Sequence, residues 1–245
     1  MSKHKAPKLV QEIEEKPAWF VSVLNRVTIG ITIVCYGIIA YLAIFHFDLI
    51  KLFFTDYEQL QEFITPGLRI PLLIVFFIFA VVLAINPFAQ LVPIISIVAF
   101  FYGFELSVVF GLVSFFLAVS LTMSLSRYLG HNVVKKIIGE KNWDKARILA
   151  DEEGVLPFFI AYLFPVFPNA IITWIAGTTN VSIPRLATVA TIAVTPGTII
   201  SALIGSGLVT ENYILTGSMF VVLILIAVVM SKFRKKILNL INRNK

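Results

Sequence analysis

The chain has 245 residues, of which 58% are hydrophobic and only 14% are charged, and its mean hydropathy is +0.92. A soluble domain usually carries about 25% charged residues, and it could not keep this much apolar surface away from water. Composition therefore excludes an ordinary soluble protein and predicts that lipid surrounds most of the chain. The formal net charge of +6 comes from basic residues that flank apolar runs. That pattern is typical of membrane topology and not of nucleic-acid binding.

The reactive residues argue against an enzyme and against a metal site. Cys35 is the only cysteine, so neither an intramolecular disulfide nor a thiolate cluster can form. The three histidines, His4, His46 and His131, lack the spacing of metal ligands. The sequence also lacks a Gly-rich phosphate loop followed by lysine and a GxSxG elbow. We therefore expect no catalytic residue, no bound metal and no cofactor.

The first predicted element is a polar segment, residues 1–25, which is followed by an anchor. The apolar run Val27–Phe45 carries no charge and is long enough to cross a bilayer. A cleavable signal would have an apolar core of about 7–15 residues and a small-residue cleavage site after it. This run lacks that site, so we predict a retained membrane span. A polar stretch of acidic balance, Asp48–Arg69, comes next.

Two apolar stretches of 57 residues follow, and each holds a single charge. Ile70–Ser126 contains Glu105, and Gly154–Thr210 contains Arg185. Since a span needs about 20 residues, each stretch is too long for two spans and rather short for three. Proline costs about 3 kcal/mol inside a helix, so we predict re-entrant turns where prolines and glycines cluster. The predicted turn residues are Asn86, Pro87, Pro93 and Gly103 in the first stretch, and Pro165, Pro168, Asn169 and Gly177 in the second.

The breaks recur with matched spacing. Pro93 precedes Gly103 by ten residues, and Pro168 precedes Gly177 by nine. A second glycine follows 27 residues later in the first unit and 28 residues later in the second. The parallel order predicts a duplicated unit, in which a helical hairpin turns at prolines and one long helix follows. Transporters built from such repeats place their sites at broken helices near the midplane, often with inverted repeats.

The distribution of basic residues predicts the orientation. The N-terminal segment, the loop after Ser126 and the tail 232–245 are basic, so we expect all three on the cytoplasmic side. The first hairpin, Ile70–Phe101, then enters from outside, and the second, Val155–Ala176, enters from inside. Charge alone also allows eight full spans, but the short, broken arms favour re-entrant hairpins. The last apolar run, Tyr213–Met230, returns the chain to the cytoplasm.

Four stretches carry a resemblance to a known family. They are FFYGFELSVVFG (Phe100–Gly111), SRYLG (Ser126–Gly130), YLFPVFPNAIITWIAG (Tyr162–Gly177) and TPGTIISALIG (Thr195–Gly205). Together they resemble the DedA/VTT superfamily, also called the SNARE-associated Golgi protein family, over roughly Pro87 to Gly207. The resemblance implies an all-α integral membrane fold. Its core is an inverted repeat of a re-entrant helical hairpin plus a transmembrane helix, with flanking transmembrane helices.

The resemblance also implies a function, with one departure. Branches of the family scramble phospholipids without an energy source, recycle polyprenyl-phosphate carriers, or carry out proton-linked transport. Family members commonly have an arginine three residues before the first proline of the second hairpin, where this chain has Tyr162. A role of that arginine cannot be transferred here, so a lipid phosphate would need another contact.

Five residues are candidates for the lipid path, namely Glu105, Arg127, Tyr162, Asn169 and Arg185. A charge at mid-bilayer costs at least about 2.5–3.5 kcal/mol and is usually functional. Glu105 would be a protonatable group, and Arg185 would contact lipid phosphate. Both have an alternative interpretation as charges that extend to the membrane interface. Arg127 is either a stop-transfer anchor or, by the family resemblance, a site residue, and the prolines are either functional turns or packing kinks.

These observations predict one membrane domain, residues 26–231, with a VTT-like core over about 70–207. The expected function is lipid translocation, by a phospholipid scramblase or a polyprenyl-phosphate flippase, through a polar seam between the hairpins. Anionic lipid headgroups are the expected partners, protons are a further candidate, and the oligomeric state is open. The alternatives are a proton-coupled transporter of small solutes or ions and a membrane organiser that transports nothing. We expect a prokaryotic cytoplasmic membrane, with both termini in the cytoplasm.

Overall fold

The computed structural model describes residues 66–85, 92–146, 149, 154–164, 168–210 and 212–242, and four isolated positions near the N-terminus (26, 30, 33 and 37). Over these residues the ordered structure is helical and contains no strand. The helices are α1 (Pro66–Ile85), α2 (Val92–Tyr102), α3 (Phe104–Leu129), α4 (His131–Ile138), α5 (Glu140–Ala146), α6 (Leu156–Leu163), α7 (Asn169–Gly177), α8 (Ile183–Val209) and α9 (Tyr213–Asn242). The predicted all-α fold class is confirmed.

Two helices in the described part are long and apolar enough to cross a membrane. They are α3 and α8, with 26 and 27 residues. At a rise of about 1.5 Å per residue, each is about 40 Å long and exceeds the roughly 30 Å of a hydrocarbon core. Shorter apolar segments lie within α1, α2 and α9. Of the anchor predicted at Val27–Phe45, the structure describes only residues 30, 33 and 37, and each of them is helical.

The two long helices run antiparallel to each other. Gly111, near the start of α3, lies against Thr198, which is in the second half of α8. At the other end, Arg127 in the last turn of α3 bonds to the backbone that immediately precedes α8. We call the two ends of this helix pair the Glu105 end and the Arg185 end, after the lone charge in the first turns of α3 and α8.

Four shorter arms pack against this pair in a crossed pattern. The first arms, α1 and α6, contact the long helix of their own unit, which is α3 and α8 respectively. The second arms contact the long helix of the other unit, so that α2 packs on α8 and α7 packs on α3. A hydroxyl bonds a carbonyl at each crossing. The Ser96 Oγ donates to the Ser201 carbonyl over 2.8 Å, and the Ser126 Oγ donates to the Trp174 carbonyl.

The arms differ in length from the sequence prediction. Helices α2, α6 and α7 have 11, 8 and 9 residues, which suits arms that reach only part of the way through a bilayer. Helix α1 has 20 residues, because it begins at Pro66 within the polar stretch, and its length equals that of a full span. The final helix continues to Asn242, so much of the predicted tail 232–245 is helical.

Candidate functional site

The two lone charges of the apolar stretches occupy matching places in the fold. Glu105 is the second residue of α3, and Arg185 is the third residue of α8. Both side chains are exposed, and within the described part of the chain neither forms an ion pair. Because α3 and α8 are antiparallel, the two charges lie at opposite ends of the helix pair. From the helical rise, their separation along the axis is about 28 Å, so they do not share one site.

Arg127 binds the turn that joins α7 to α8. Its guanidinium donates three hydrogen bonds to backbone carbonyls, from Nε to Gly177 (3.2 Å) and from Nη2 to Thr179 (2.9 Å) and Val181 (2.6 Å). A cation at the C-terminal end of a helix is favoured by the helix dipole and by the carbonyls that lack helical donors there. Arg127 therefore holds the end of the second hairpin against α3, and its role as a lipid-path residue stays a prediction.

Substitution of Arg127 with alanine is expected to lower the free energy of unfolding by about 2 kcal/mol, because three carbonyls lose a charged donor. For a chain of this size, that corresponds to a melting temperature lower by roughly 4–8 °C. Thermal unfolding of the detergent-purified protein measures the change. Lys136→Ala is the control, since it removes an exposed cation of the neighbouring helix α4. An unchanged melting temperature in Arg127→Ala would show that the three bonds contribute nothing.

Tyr162 lies inside the second hairpin and connects its two arms. The side chain is only 3% exposed, and its ring meets the Phe115 ring edge-on, with the centroids 6.2 Å apart. Its hydroxyl lies 2.8 Å from the Thr173 Oγ1, which in turn donates to the Asn169 carbonyl over 2.8 Å. Since Thr173 has one hydroxyl proton, the Tyr162 hydroxyl is the donor in the first bond. The structure thus brings together two predicted site residues, Tyr162 and Asn169, through a third that was not predicted.

Asn169 carries a polar atom without a partner. It is the first residue of α7, and its Oδ1 is buried and accepts no hydrogen bond. A buried acceptor that is left unpaired costs about 1–3 kcal/mol, so such atoms are often found where a ligand or water binds. This atom lies next to the turn of the second hairpin, where the sequence predicts a polar seam.

The predicted turn prolines are only partly within the described residues. Pro93 is the second residue of α2, a position where the missing amide costs nothing. Pro168 precedes α7 as its N-cap, with extended ψ. The other predicted turn residues, Asn86, Pro87 and Pro165, lie outside the described residues.

The two repeat glycines serve different physical needs. Gly103 joins α2 to α3 with φ of 87°, a conformation that residues with a Cβ rarely adopt. Gly177 has no such conformation, but a Cβ there would lie 2.5 Å from the Met123 carbonyl oxygen and the Ser126 Cβ. Gly103 is therefore required by the backbone turn, and Gly177 by the close contact between α7 and α3.

Both hairpins approach the same level of α3. The Ile95 side chain, near the start of α2, packs on Gly111, and Tyr162, near the end of α6, packs on Phe115. Gly111 and Phe115 are four residues apart, which is about 6 Å along a helix. This level lies in the first half of α3, about 10–16 Å from the start of the helix. Ile95 and Tyr162, one from each hairpin, therefore approach the same part of α3.

The sequence did not predict Thr173 or Ser126 as residues of interest. Thr173 is four residues after Asn169, so the two share a helix face, but its bond to Tyr162 depends on the fold of the hairpin. In the described part of the chain, no group of three or more His, Cys, Asp or Glu side chains is placed to hold a metal ion. The expectation of no metal or cofactor stays a prediction.

Comparison with known proteins connects this arrangement to a family. The family model described as VTT domain matches residues 75–207, which runs from the middle of α1 to near the end of α8. The chain belongs to the VTT-domain family, the DedA/SNARE-associated Golgi protein family. The family resemblance drawn from the four sequence motifs is confirmed. No curated protein and no solved structure matches the chain. VTT-domain membership and the two apolar long helices indicate a membrane protein, and the family suggests a membrane transport or lipid-related role.

Proposed function

We propose that this VTT-domain protein translocates lipids across the membrane, as a scramblase or flippase, along a polar seam between its two hairpins. The observation that carries this proposal is that both hairpins approach the same part of α3, where Ile95 contacts Gly111 and Tyr162 contacts Phe115. A lipid that crosses must move its headgroup through the low-dielectric centre of the bilayer, where a polar group is costly. Broken helices supply backbone and side-chain polar atoms at that depth.

The crossed packing supports an inverted repeat for this core. Each first arm packs on its own long helix, each second arm packs on the other one, and the two long helices are antiparallel. Exchange of the two units preserves these crossed contacts, although α2 also packs on α3 and α7 has no matching contact with α8. In such an arrangement the hairpins enter from opposite faces, and each face receives one lone charge, Glu105 or Arg185. The short arms α6 and α7 further support a re-entrant second hairpin.

The charges support one orientation. Arg127 and Arg185 both lie at the Arg185 end, and α4, which carries Lys135 and Lys136, directly follows α3 at that end. We therefore propose that the Arg185 end faces the cytoplasm and the Glu105 end faces outward. A lipid would meet an acidic side chain at one face and a basic side chain at the other. Arg185 would attract the phosphate, and Glu105 would exchange a proton with water or a headgroup amine.

Liposomes that contain the purified protein and a fluorescent phospholipid test the proposal. Membrane-impermeant reductant bleaches only the outer leaflet, so a scramblase makes the whole population of labelled lipid accessible. We expect complete bleaching without an ion gradient and with little dependence on the headgroup. Bleaching that requires a pH gradient would favour a proton-coupled transporter. If only the outer leaflet is bleached, with or without a gradient, the protein does not translocate the labelled lipid. This outcome would contradict the proposal and favour the membrane organiser.

Substitutions of the two lone charges are expected to slow lipid exchange. Glu105→Gln and Arg185→Ala should each lower the rate roughly tenfold, the effect of about 1.4 kcal/mol on the barrier. The same liposome assay measures both variants, and Lys136→Gln is the control for loss of an exposed charge. If the folded Glu105→Gln and Arg185→Ala proteins exchange lipid at the wild-type rate, neither residue belongs to the lipid path.

A further inference from the structure

The exposed side of α8 carries polar groups along half of the helix. Arg185, Thr188 and Pro196 are exposed, Ile192 is 58% exposed, and Thr195 is half-buried. Residues that are three or four positions apart lie on one face of a helix, so these five form a single stripe. We call this stripe the α8 track. Only Arg185 among its members belongs to the predicted lipid path.

The α8 track leads from the Arg185 end to the middle of the helix. Pro196 is equally far in sequence from Ile183 and Val209, the first and last residues of α8. From Arg185 to Pro196 the helical rise is about 16 Å, which is close to half of the roughly 30 Å of a hydrocarbon core. The track is therefore long enough to bring a headgroup from the interface to the centre of the bilayer.

Pro196 frees an acceptor in the track. In an unbroken helix the amide of residue 196 would donate to the Ile192 carbonyl, but proline has no amide hydrogen. The neighbouring hydroxyls do not replace this donor. Those of Thr191, Thr195 and Thr198 each donate to the carbonyl four residues before their own. A carbonyl without a donor must find another partner in lipid, and the exposure of Ile192 leaves room for one.

Arg185 and Thr188 supply free donors at the beginning of the track. The Arg185 guanidinium makes neither an ion pair nor a hydrogen bond within the described part of the chain. The Thr188 hydroxyl donates to no carbonyl there, unlike that of Thr191, which donates to the Ala187 carbonyl over 2.8 Å. A guanidinium and a hydroxyl both donate to phosphate oxygens, and the bond from the cation is the stronger one. The track thus combines donors near the interface with an acceptor deeper in the bilayer.

These groups suit a phospholipid headgroup better than a second helix. A packed helix satisfies its amides internally, so it would leave the Ile192 carbonyl without a donor in lipid. A headgroup brings a phosphate for Arg185 and Thr188, and its hydration water donates to the carbonyl. The neighbouring backbone is also open to a ligand, since an added Cβ at Gly197 would meet nothing within 4 Å.

We propose that a phospholipid headgroup and its hydration water move along the α8 track between Arg185 and Pro196, while the acyl chains stay in the surrounding bilayer. The proposal rests on the proposed lipid translocation, for which it supplies the half of the route at the Arg185 end. Arg185 and Thr188 bind the phosphate at the interface. The Ile192 carbonyl accepts a hydrogen bond from the hydrated headgroup at depth, and Pro196 is the positioning residue that keeps this carbonyl free.

Conjugation of single cysteines to a reactive lipid tests the track. Cys35→Ser removes the only native cysteine, and Ile192→Cys then places a thiol on the track. The liposomes consist of phosphatidylcholine and of phosphatidylethanolamine that carries a maleimide on its headgroup. Maleimide adds to a thiolate, which an apolar environment disfavours, and mass spectrometry detects a chain that has gained one lipid. We expect Ile192→Cys to react roughly tenfold faster than a matched lipid-facing cysteine.

Leu121→Cys in α3 is the matched control, because Leu121 is 54% exposed. Positions 121 and 192 both lie about 12–14 Å from the Arg185 end of their helices. Equal conjugation of the two cysteines would overturn the track. A disulfide between two Ile192→Cys chains without conjugation would also overturn it, since a second copy would then cover this face. Faster conjugation of Ile192→Cys in a protein without lipid exchange would refute translocation and leave the track standing, whereas lipid exchange with equal conjugation would refute the track alone.

Pro196→Ala tests the role of the freed carbonyl. Alanine restores the amide donor to the Ile192 carbonyl, so it should slow lipid exchange roughly tenfold, the effect of one lost hydrogen bond on a barrier. The melting temperature should stay the same or rise, because a helical hydrogen bond is gained. Pro71→Ala is the control, since Pro71 is an exposed proline inside α1 and outside the track, and its exchange rate should not change. Wild-type exchange in Pro196→Ala, or an equal loss in Pro71→Ala, would contradict a role for the freed carbonyl.

Discussion

Replacement of Gly205 with alanine is expected to lower the free energy of unfolding by about 3 kcal/mol, near the upper end of overpacking costs. An added Cβ at this position would clash with the backbone carbonyl oxygen of Ser96 and would lie 2.8 Å from the Cβ of Ala99. Backbone atoms cannot rotate away as a side chain does, so α2 would have to move off α8. The melting temperature in detergent should fall by roughly 6–12 °C.

The same helix supplies the control for this prediction. An added Cβ at Gly197, also in α8, would meet nothing within 4 Å. Gly197→Ala should therefore leave stability unchanged or raise it by about 0.5–1 kcal/mol, since alanine favours the helical backbone. Equal melting temperatures for the two alanine variants would contradict the tight crossing of α2 on α8. Lipid exchange should also decline in Gly205→Ala, because α2 carries Ile95, which packs near Gly111.

The spacing of the glycines predicted the repeat, but it did not predict what each glycine does. Gly103 and Gly177 occupy matched places in the sequence, yet Gly103 permits a positive φ and Gly177 permits close contact with Ser126. Glycine serves both needs through the same missing Cβ, so sequence alone cannot separate them. The distinction depends on which neighbouring segment approaches, and that is a property of the folded chain.

Composition and periodic breaks predicted the helical class and the position of both long helices well. Val27–Phe45 stays a predicted span, since the structure describes only three of its residues. Helix α1 is longer than a half-membrane arm because its start at Pro66 lies in polar sequence. The contacts that the sequence did not predict are hydrogen bonds between residues that lie far apart in the chain. Ser126 and Trp174 are 48 residues apart, and Arg127 reaches carbonyls 50–54 residues away. Such bonds leave no local periodicity in the sequence.

Arg127 shows how a predicted residue can have an unpredicted role. The sequence placed it at the end of a span, where a stop-transfer charge or a site residue would lie. The structure adds that its Nε and Nη2 are engaged by the turn before α8. A headgroup that reached this guanidinium would have to compete with these carbonyls. At the Arg185 end, the cation better placed to meet a headgroup is therefore Arg185, which is exposed and forms no ion pair within the described part of the chain.

Tyr162 occupies the position where the family commonly has arginine, and the structure predicts that arginine is poorly tolerated there. The side chain is 3% exposed, and its ring packs on Phe115. A charge buried in a membrane helix costs at least about 2.5–3.5 kcal/mol. Tyr162→Arg should therefore lower the yield of folded protein and its melting temperature sharply. Tyr162→Phe should cost only about 1 kcal/mol, since it loses one hydrogen bond while Thr173 keeps its bond to the Asn169 carbonyl.

The control for position is Leu156→Arg, which puts the same charge on the same helix at a site that is 57% exposed. It should fold, because an arginine at the end of α6 can extend to the interface. The melting temperatures of the three variants and their rates of lipid exchange then decide between two roles for Tyr162. A destabilised Tyr162→Arg and an active Tyr162→Phe would make the tyrosine a packing residue that joins the two arms of the hairpin. A stable Tyr162→Arg with faster lipid exchange would contradict the predicted cost of the buried charge and would place position 162 on the path of the phosphate.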